Sequence, residues 1–398
     1  MKLRKLFTVI SVITTMLILS GCADDSKAKY VFLFIGDGMG TTHVDVTESY
    51  LSYKAGVYGG EQLIMTQFPV FGTATSYSAD SPVTDSSAAG TAIACGGKTN
   101  NSWLGVDPQE QPYESVAQVL KNEGYKVAVM STVPINHATP ASFYGHQRSR
   151  HASYAILQEI PASGFEYFAG SGMMGFAGNR WRPEPDITGY LEENGYNVCY
   201  GKEELAEAIA NNDKIVFSQI YNKGVEPKNY ESGNVPEGHT TLAEMVQGAL
   251  DLFGDKDPFF MAIEGGEIDW GGHANKVMPV VNSVINFDKA IEVAYQFYLA
   301  HPDETLIVVT ADHETGGIAL GNKYNVNWEA FEKSWVESGY DNQLNAEENN
   351  ALNAEGLIGW TTGDHTGGAV PVYAIGKGAE KFSGRMDNTD IKGKILGK

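Results

Sequence analysis

Tyr30-Val31-Phe32-Leu33-Phe34-Ile35-Gly36-Asp37-Gly38-Met39-Gly40 decides how this chain is read. Its first six residues are apolar without alternation, as a strand covered on both faces must be. A carboxylate, Asp37, follows at once between glycines, which let other groups approach the backbone closely. Four further apolar runs share this character, at 126–130, 258–263, 305–310 and 370–375. Helical patterns lie between them. Leu242, Met245, Val246, Ala249, Leu250 and Phe253 recur at spacings of three and four, as do Val280, Val284, Phe287, Ile291, Ala294 and Tyr298. Strands alternating with helices predict an α/β fold, with a mostly parallel central sheet covered by helices on both faces. Two stretches fit this pattern less well. Residues 161–240 are rich in Gly, Pro and aromatics, and 322–358 are polar with several Asn. Both read as inserted loop regions, a small lid or cap, on a single domain spanning 30–398.

The 398 residues are 42% hydrophobic and 19% charged, enough for a large core and too balanced for a disordered chain. The formal net charge of −21 argues against nucleic acid as a partner, because phosphate backbones are bound by clustered Lys and Arg. The N-terminus has a different character. Lys2, Arg4 and Lys5 precede an apolar run over 6–19, shorter than the roughly 20 residues of a membrane span. It ends in Leu19-Ser20-Gly21-Cys22, which resembles a bacterial lipobox. This predicts a lipoprotein signal peptide over 1–21, an acylated Cys22 and a polar tether over 22–29. The protein would then be exported and lipid-anchored to a bacterial membrane, facing the periplasm or the cell surface. Cys95 and Cys199 remain, and one disulfide between them is open in an oxidising compartment. The small-residue helical surroundings of Cys95 favour a buried free thiol instead.

Polar residues cluster just after the apolar runs. Asp37 follows the first. Glu264, Asp269 and His273 follow 258–263, in Glu264-Gly265-Gly266-Glu267-Ile268-Asp269-Trp270-Gly271-Gly272-His273. Asp312 and His313 follow 305–310, and His365 stands in Gly363-Asp364-His365-Thr366-Gly367-Gly368. The carboxyl ends of strands in an open parallel sheet converge on one crevice, so these residues should meet there. Asp37, Asp269, Asp312, His273, His313 and His365 suffice for two His/carboxylate metal sites. One such residue alone is usually a turn former, but three strand-end clusters together point to metal chemistry. Val83-Thr84-Asp85-Ser86-Ser87-Ala88-Ala89-Gly90 then opens a run of small helix formers. A helix start of this kind suits a phosphate dianion, although Ser and Asp are also ordinary caps. Ser86 has no G-x-S-x-G elbow and no evident His partner in the sequence, which leaves metal activation as the route to a nucleophile.

Taken together, Gly36-Asp37-Gly38-Met39-Gly40, Thr84-Asp85-Ser86, Asp312-His313 and His365-Thr366-Gly367 resemble the motifs of the alkaline phosphatases, in the family's order and across nearly all of the mature chain. The resemblance implies hydrolysis of small-molecule phosphate monoesters through a phosphoserine on Ser86, with two zinc ions and one magnesium. Transfer of the phosphoryl group to an alcohol is left open, as is homodimerisation. Asp37, Asp312, His313 and Ser86 would hold one zinc, and Asp269, His273 and His365 the other. Thr139 and Glu264, sharing Asp37, would hold the magnesium. Arg150 would bind phosphate; the residues alone do not choose between Arg148 and Arg150. Two positions depart from the best-known bacterial pattern. His137 stands in place of an Asp, meeting the magnesium through a water or not at all. Trp270 stands in place of a Lys, lining the substrate mouth or simply packing.

A sulfatase on the same sheet would carry x-Pro-x-Arg after its nucleophile, which Ser86 lacks, and a diesterase more often has Thr there. A lipoprotein that binds phosphate or metal without turnover predicts lost ligands, and none of the main ones is missing. A purely structural envelope protein leaves the strand-end ligands unexplained.

Overall fold

The computed structural model describes residues 27–179, 182–211, 214–219, 238–321, 324–340 and 344–398. The expected signal peptide, Cys22 and most of the tether lie outside these. Ten strands form one sheet: β1 (Tyr30–Gly36), β2 (Val70–Thr75), β3 (Lys126–Ser131), β4 (Tyr167–Gly170), β5 (Tyr196–Tyr200), β6 (Lys214–Ser218), β7 (Phe259–Gly265), β8 (Thr305–Thr310), β9 (Val370–Gly376) and β10 (Gly384–Asp387). Their spatial order is β10-β2-β9-β8-β1-β7-β3-β4-β6-β5. The fold is α/β and mostly parallel. Only β9 runs antiparallel to its neighbours, β8 and β2.

β1 sits near the middle, with every residue buried. It pairs in parallel with β7 on one side and β8 on the other, so no position along it faces water and its sequence has no reason to alternate. Tyr30, Phe32, Phe259 and Phe297 meet at ring-centroid distances of 5.0 to 5.7 Å. Such aromatic pairs add about 0.5–1.5 kcal/mol beyond their buried area. Of the helices, α1 (Thr41–Lys54) follows the β1 loop, α2 (Ser86–Cys95) follows β2, and α3 (Leu242–Phe253) precedes β7. α4 (Glu267–His273) and the long α5 (Val277–Ala300) follow β7. α3 begins with a reciprocal cap between Thr241 and Glu244 and stops at Gly254, with φ of 66°.

The reading of 161–240 as an insertion needs correction in part. β4, β6 and β5 lie within it and extend one edge of the main sheet. They are short and set among Gly and Asn, so the apolar runs are interrupted. Residues 328–337 and 346–356 form helices. Trp328, Phe331 and Trp335 close a small second core with Val46, Val277 and Val281. Cys95 and Cys199 are buried and form no disulfide; burial pushes the Cys95 thiol up to about 12. No helix among the described residues is long and apolar enough to cross a membrane.

Candidate active site

The sheet brings the strand-end residues together. Ile35 and Ser131 both lie opposite Glu264 in register, and Ile35 also lies opposite Thr310. Asp37, Glu264, Asp312 and His313 therefore leave neighbouring strands at one end. His365 reaches the same end because β9 is antiparallel: its start, not its finish, lies there. A two-residue ladder pairs Thr315 with His365 and fixes the approach. β2 runs opposite to β9, so the loop after it delivers Ser86 to this end too. Asp85 caps α2 by accepting from the Ala88 N–H at 3.0 Å, which sets Ser86 at the helix's first position.

Ser86 does have a His neighbour, against the sequence expectation. Its Oγ lies 3.2 Å from His313 Nε2, and the same nitrogen is 3.2 Å from Asp37 Oδ1 and 3.3 Å from Asp312 Oδ2. One imidazole nitrogen cannot donate to three oxygens at once. Donor atoms at the corners of a tetrahedron with bonds of about 2.0 Å are about 3.3 Å apart, so the three spacings from this nitrogen are those of ligands around one zinc-like cation. All four residues are buried.

Asp269, His273 and His365 make a second convergence. His273 Nδ1 donates to the Gly363 carbonyl at 2.7 Å, and His365 Nδ1 donates to the Thr84 carbonyl at 2.8 Å. Their Nε2 lone pairs then face each other across 3.2 Å. The Asp269 carboxylate lies 3.4 Å from one and 3.6 Å from the other. Lone pairs and an anion pointed at one spot repel unless a cation or proton sits among them, and outer N–H groups held by carbonyls are the usual mark of metal-ligating histidines. With no metal, a proton takes this role: the bond to Asp269 lifts His273 to about 9.

The third convergence is Asp37, His137 and Glu264, whose ligand atoms lie within 4.8 Å of one another. Glu264 Oε1 is buried without a hydrogen-bond partner, while its Oε2 accepts from the Ser131 hydroxyl. Thr139 Oγ1 donates toward Asp37 Oδ2 at 3.4 Å and Asp312 Oδ2 at 3.3 Å. Burial raises Glu264 to about 7 and Asp312 to about 8. Asp37 rises well above the ordinary range through burial and the carboxylates of Asp312, Asp269 and Glu264. Burial acts on Asp269 in the same sense, but the His273 hydrogen bond and the surrounding imidazoles outweigh it and hold the group low. Carboxylates this crowded, with an orphaned oxygen among them, suit a hard cation.

The structure separates the two arginines. Arg150 donates to Asp85 Oδ2 at 3.1 Å and to His137 Nε2 at 3.2 Å. Arg148 points away, pairing with Glu110 and lying over the Trp103 ring. Trp270 packs edge-on against His137, with ring centroids 6.2 Å apart.

Sequence reasoning missed two supporting residues. Asp85 stands at the helix start in the sequence, and in the structure it also anchors Arg150. Thr315 lies within a Gly-rich stretch that gives it no functional signature in the sequence. Its hydroxyl lies 2.5 Å from Asp269 Oδ1 and 3.2 Å from His313 Nδ1, linking the first two convergences. Nothing in a threonine's type or spacing announces such a bridge.

A family model described as Alkaline phosphatase matches residues 28–171 and 186–396. Alkaline phosphatase 4 of Bacillus subtilis is 30% identical over 420 residues, covering 92% of this chain and 88% of that protein. Among solved structures, the cold-active alkaline phosphatase of Shewanella sp. superposes with a TM-score of 0.79 at 27% identity, covering 92% of this chain and 98% of that one. A variant of the alkaline phosphatase of the Antarctic bacterium TAB5 with bound magnesium gives 0.72 at 30% identity, covering 93% and 97%.

Proposed function

The chain belongs to the alkaline phosphatase family, and from that premise we propose that it hydrolyses phosphate monoesters through a covalent phosphoserine on Ser86. The observation that carries this reading is the convergence of Ser86 Oγ, Asp37, Asp312 and His313 on one point. Ser86 Oγ attacks phosphorus and gives up its proton to solvent, while the ester oxygen leaves with its electron pair and takes a proton from water. A water then attacks from the side the ester left and loses a proton to solvent, and Ser86 Oγ departs with its electron pair and is reprotonated. Two in-line displacements give net retention at phosphorus. Arg150, held by Asp85, donates its N–H groups to the non-bridging oxygens. The start of α2 adds the positive end of its dipole.

Asp37, Asp312, His313 and Ser86 would hold one zinc, Asp269, His273 and His365 a second, and Asp37, Thr139 and Glu264 a magnesium. Bound there, divalent cations neutralise phosphoryl charge and lower the pKa of oxygen nucleophiles. His273 is the exposed member of the set, so the ester enters from its side. Ser86→Ala should lower turnover of an aryl phosphate by roughly 10³-fold or more, with metal content unchanged. Full activity in that variant would sink the nucleophile assignment.

The lipobox supports anchoring through an acylated Cys22. Metabolic labelling with a fatty acid should mark the wild type and not Cys22→Ala, and equal labelling of both would overturn the anchor.

A further inference from the structure

This inference rests on the third ion site proposed above and concerns how that site speaks to phosphate. His137 Nε2 is the acceptor for Arg150 Nη2 at 3.2 Å. Its other ring nitrogen, Nδ1, is shut off from water and has no hydrogen-bond partner. The same side chain lies within ligand range of Asp37 and Glu264. Arg150 can only donate, so Nε2 meets it with a lone pair and the ring is neutral. A neutral imidazole has one N–H and one lone pair.

That single lone pair cannot serve two purposes. If Nε2 binds a cation, the acceptor for Arg150 is consumed. If Nδ1 binds the cation, Nε2 must carry the proton, and it then faces Arg150 donor to donor. Either route gives the same exclusion. We propose that His137 is an either/or element: it holds Arg150 when the third site is empty and releases it when it ligates a divalent cation there. A released Nη2 keeps the guanidinium's other anchor, Asp85 at 3.1 Å, and is left to a phosphoryl oxygen. Cation and phosphate therefore bind cooperatively, and each raises the other's affinity by the same factor.

An aspartate at this position would not behave this way. Its two oxygens can ligate a cation and accept from Arg150 together, so His137→Asp should uncouple the two ligands. The asparagine variant His137→Asn offers an oxygen with two lone pairs and no added charge, and makes the same prediction should the aspartate unfold the protein. The experiment uses zinc-loaded protein and two probes. Equilibrium dialysis gives the Kd of inorganic phosphate with and without saturating Mg²⁺, and calorimetry gives the Kd of Mg²⁺. Mg²⁺ should tighten phosphate binding at least about fivefold more in wild type than in His137→Asp. Equal Mg²⁺ dependence in both proteins would overturn the coupling while leaving the ion site standing. Glu264→Gln tells the two apart: it should abolish Mg²⁺ binding, and unchanged Mg²⁺ affinity there would overturn the site and the coupling together.

Discussion

Thr315 shows how much a single hydroxyl can organise. It lies 2.5 Å from Asp269 Oδ1 and 3.2 Å from His313 Nδ1. If its proton goes to the carboxylate, its lone pair accepts the His313 Nδ1–H. That fixes the tautomer and leaves the Nε2 lone pair aimed at Ser86, Asp37 and Asp312. Outer partners of this kind are worth roughly 10- to 100-fold in metal affinity. Thr315→Val keeps the shape and loses the hydroxyl, so zinc affinity in chelator competition should fall by about that factor. Thr315→Ser should restore most of it. Equal zinc affinity in the valine variant would show that packing alone sets these ligands. That Asp37, Asp269, Asp312 and the three histidines come together was legible in the sequence, because they are of metal-ligating types and sit beside apolar strands. Thr315 and Asp85 were not, because a supporting hydroxyl or carboxylate is chosen by position alone.

At the scale of elements, strand ends do the positioning. β1 and β8 were legible nearly to the residue, since strands covered on both faces and paired on both sides are apolar throughout. β2 and β10 were not: β2 is half exposed, and β10 is a short edge strand with exposed Gly384 and Arg385. The direction of β9 was also hidden, although it decides that His365 reaches the site. The loop bringing His365 in turns on Gly316, at φ of 89°, whose carbonyl accepts from both the Thr361 and Thr362 N–H groups. A Cβ there would come within 2.6 Å of the Trp360 ring. Gly316→Ala should therefore shift the 360–365 segment and lower both metal retention and turnover, while the far-ultraviolet circular dichroism of the sheet and helices is kept. A variant with undiminished metal content would show that the segment tolerates the shift.

Over the whole molecule, the site concentrates negative charge inside a chain whose formal net charge is already −21. Burial holds Glu264 near 7 and Asp312 near 8, with Asp37 raised as well. In an unfolded chain such groups ionise near pH 4. Between those values the metal-free folded protein keeps protons that the unfolded chain has released, so its stability falls as pH rises through 7 to 8. Cations bound there, as proposed, would replace those protons. The melting temperature of chelated protein should therefore drop by several degrees from pH 6 to pH 9, while that of metal-loaded protein should change little. Parallel curves would mean that the cluster does not hold the cations. The phosphoserine proposed on Ser86 can be trapped. Protein incubated with radiolabelled inorganic phosphate, acid-quenched and peptide-mapped should carry the label on Ser86 alone, and Ser86→Ala should carry none. Label on another residue, or an unlabelled protein with full turnover, would rule out Ser86 as the nucleophile.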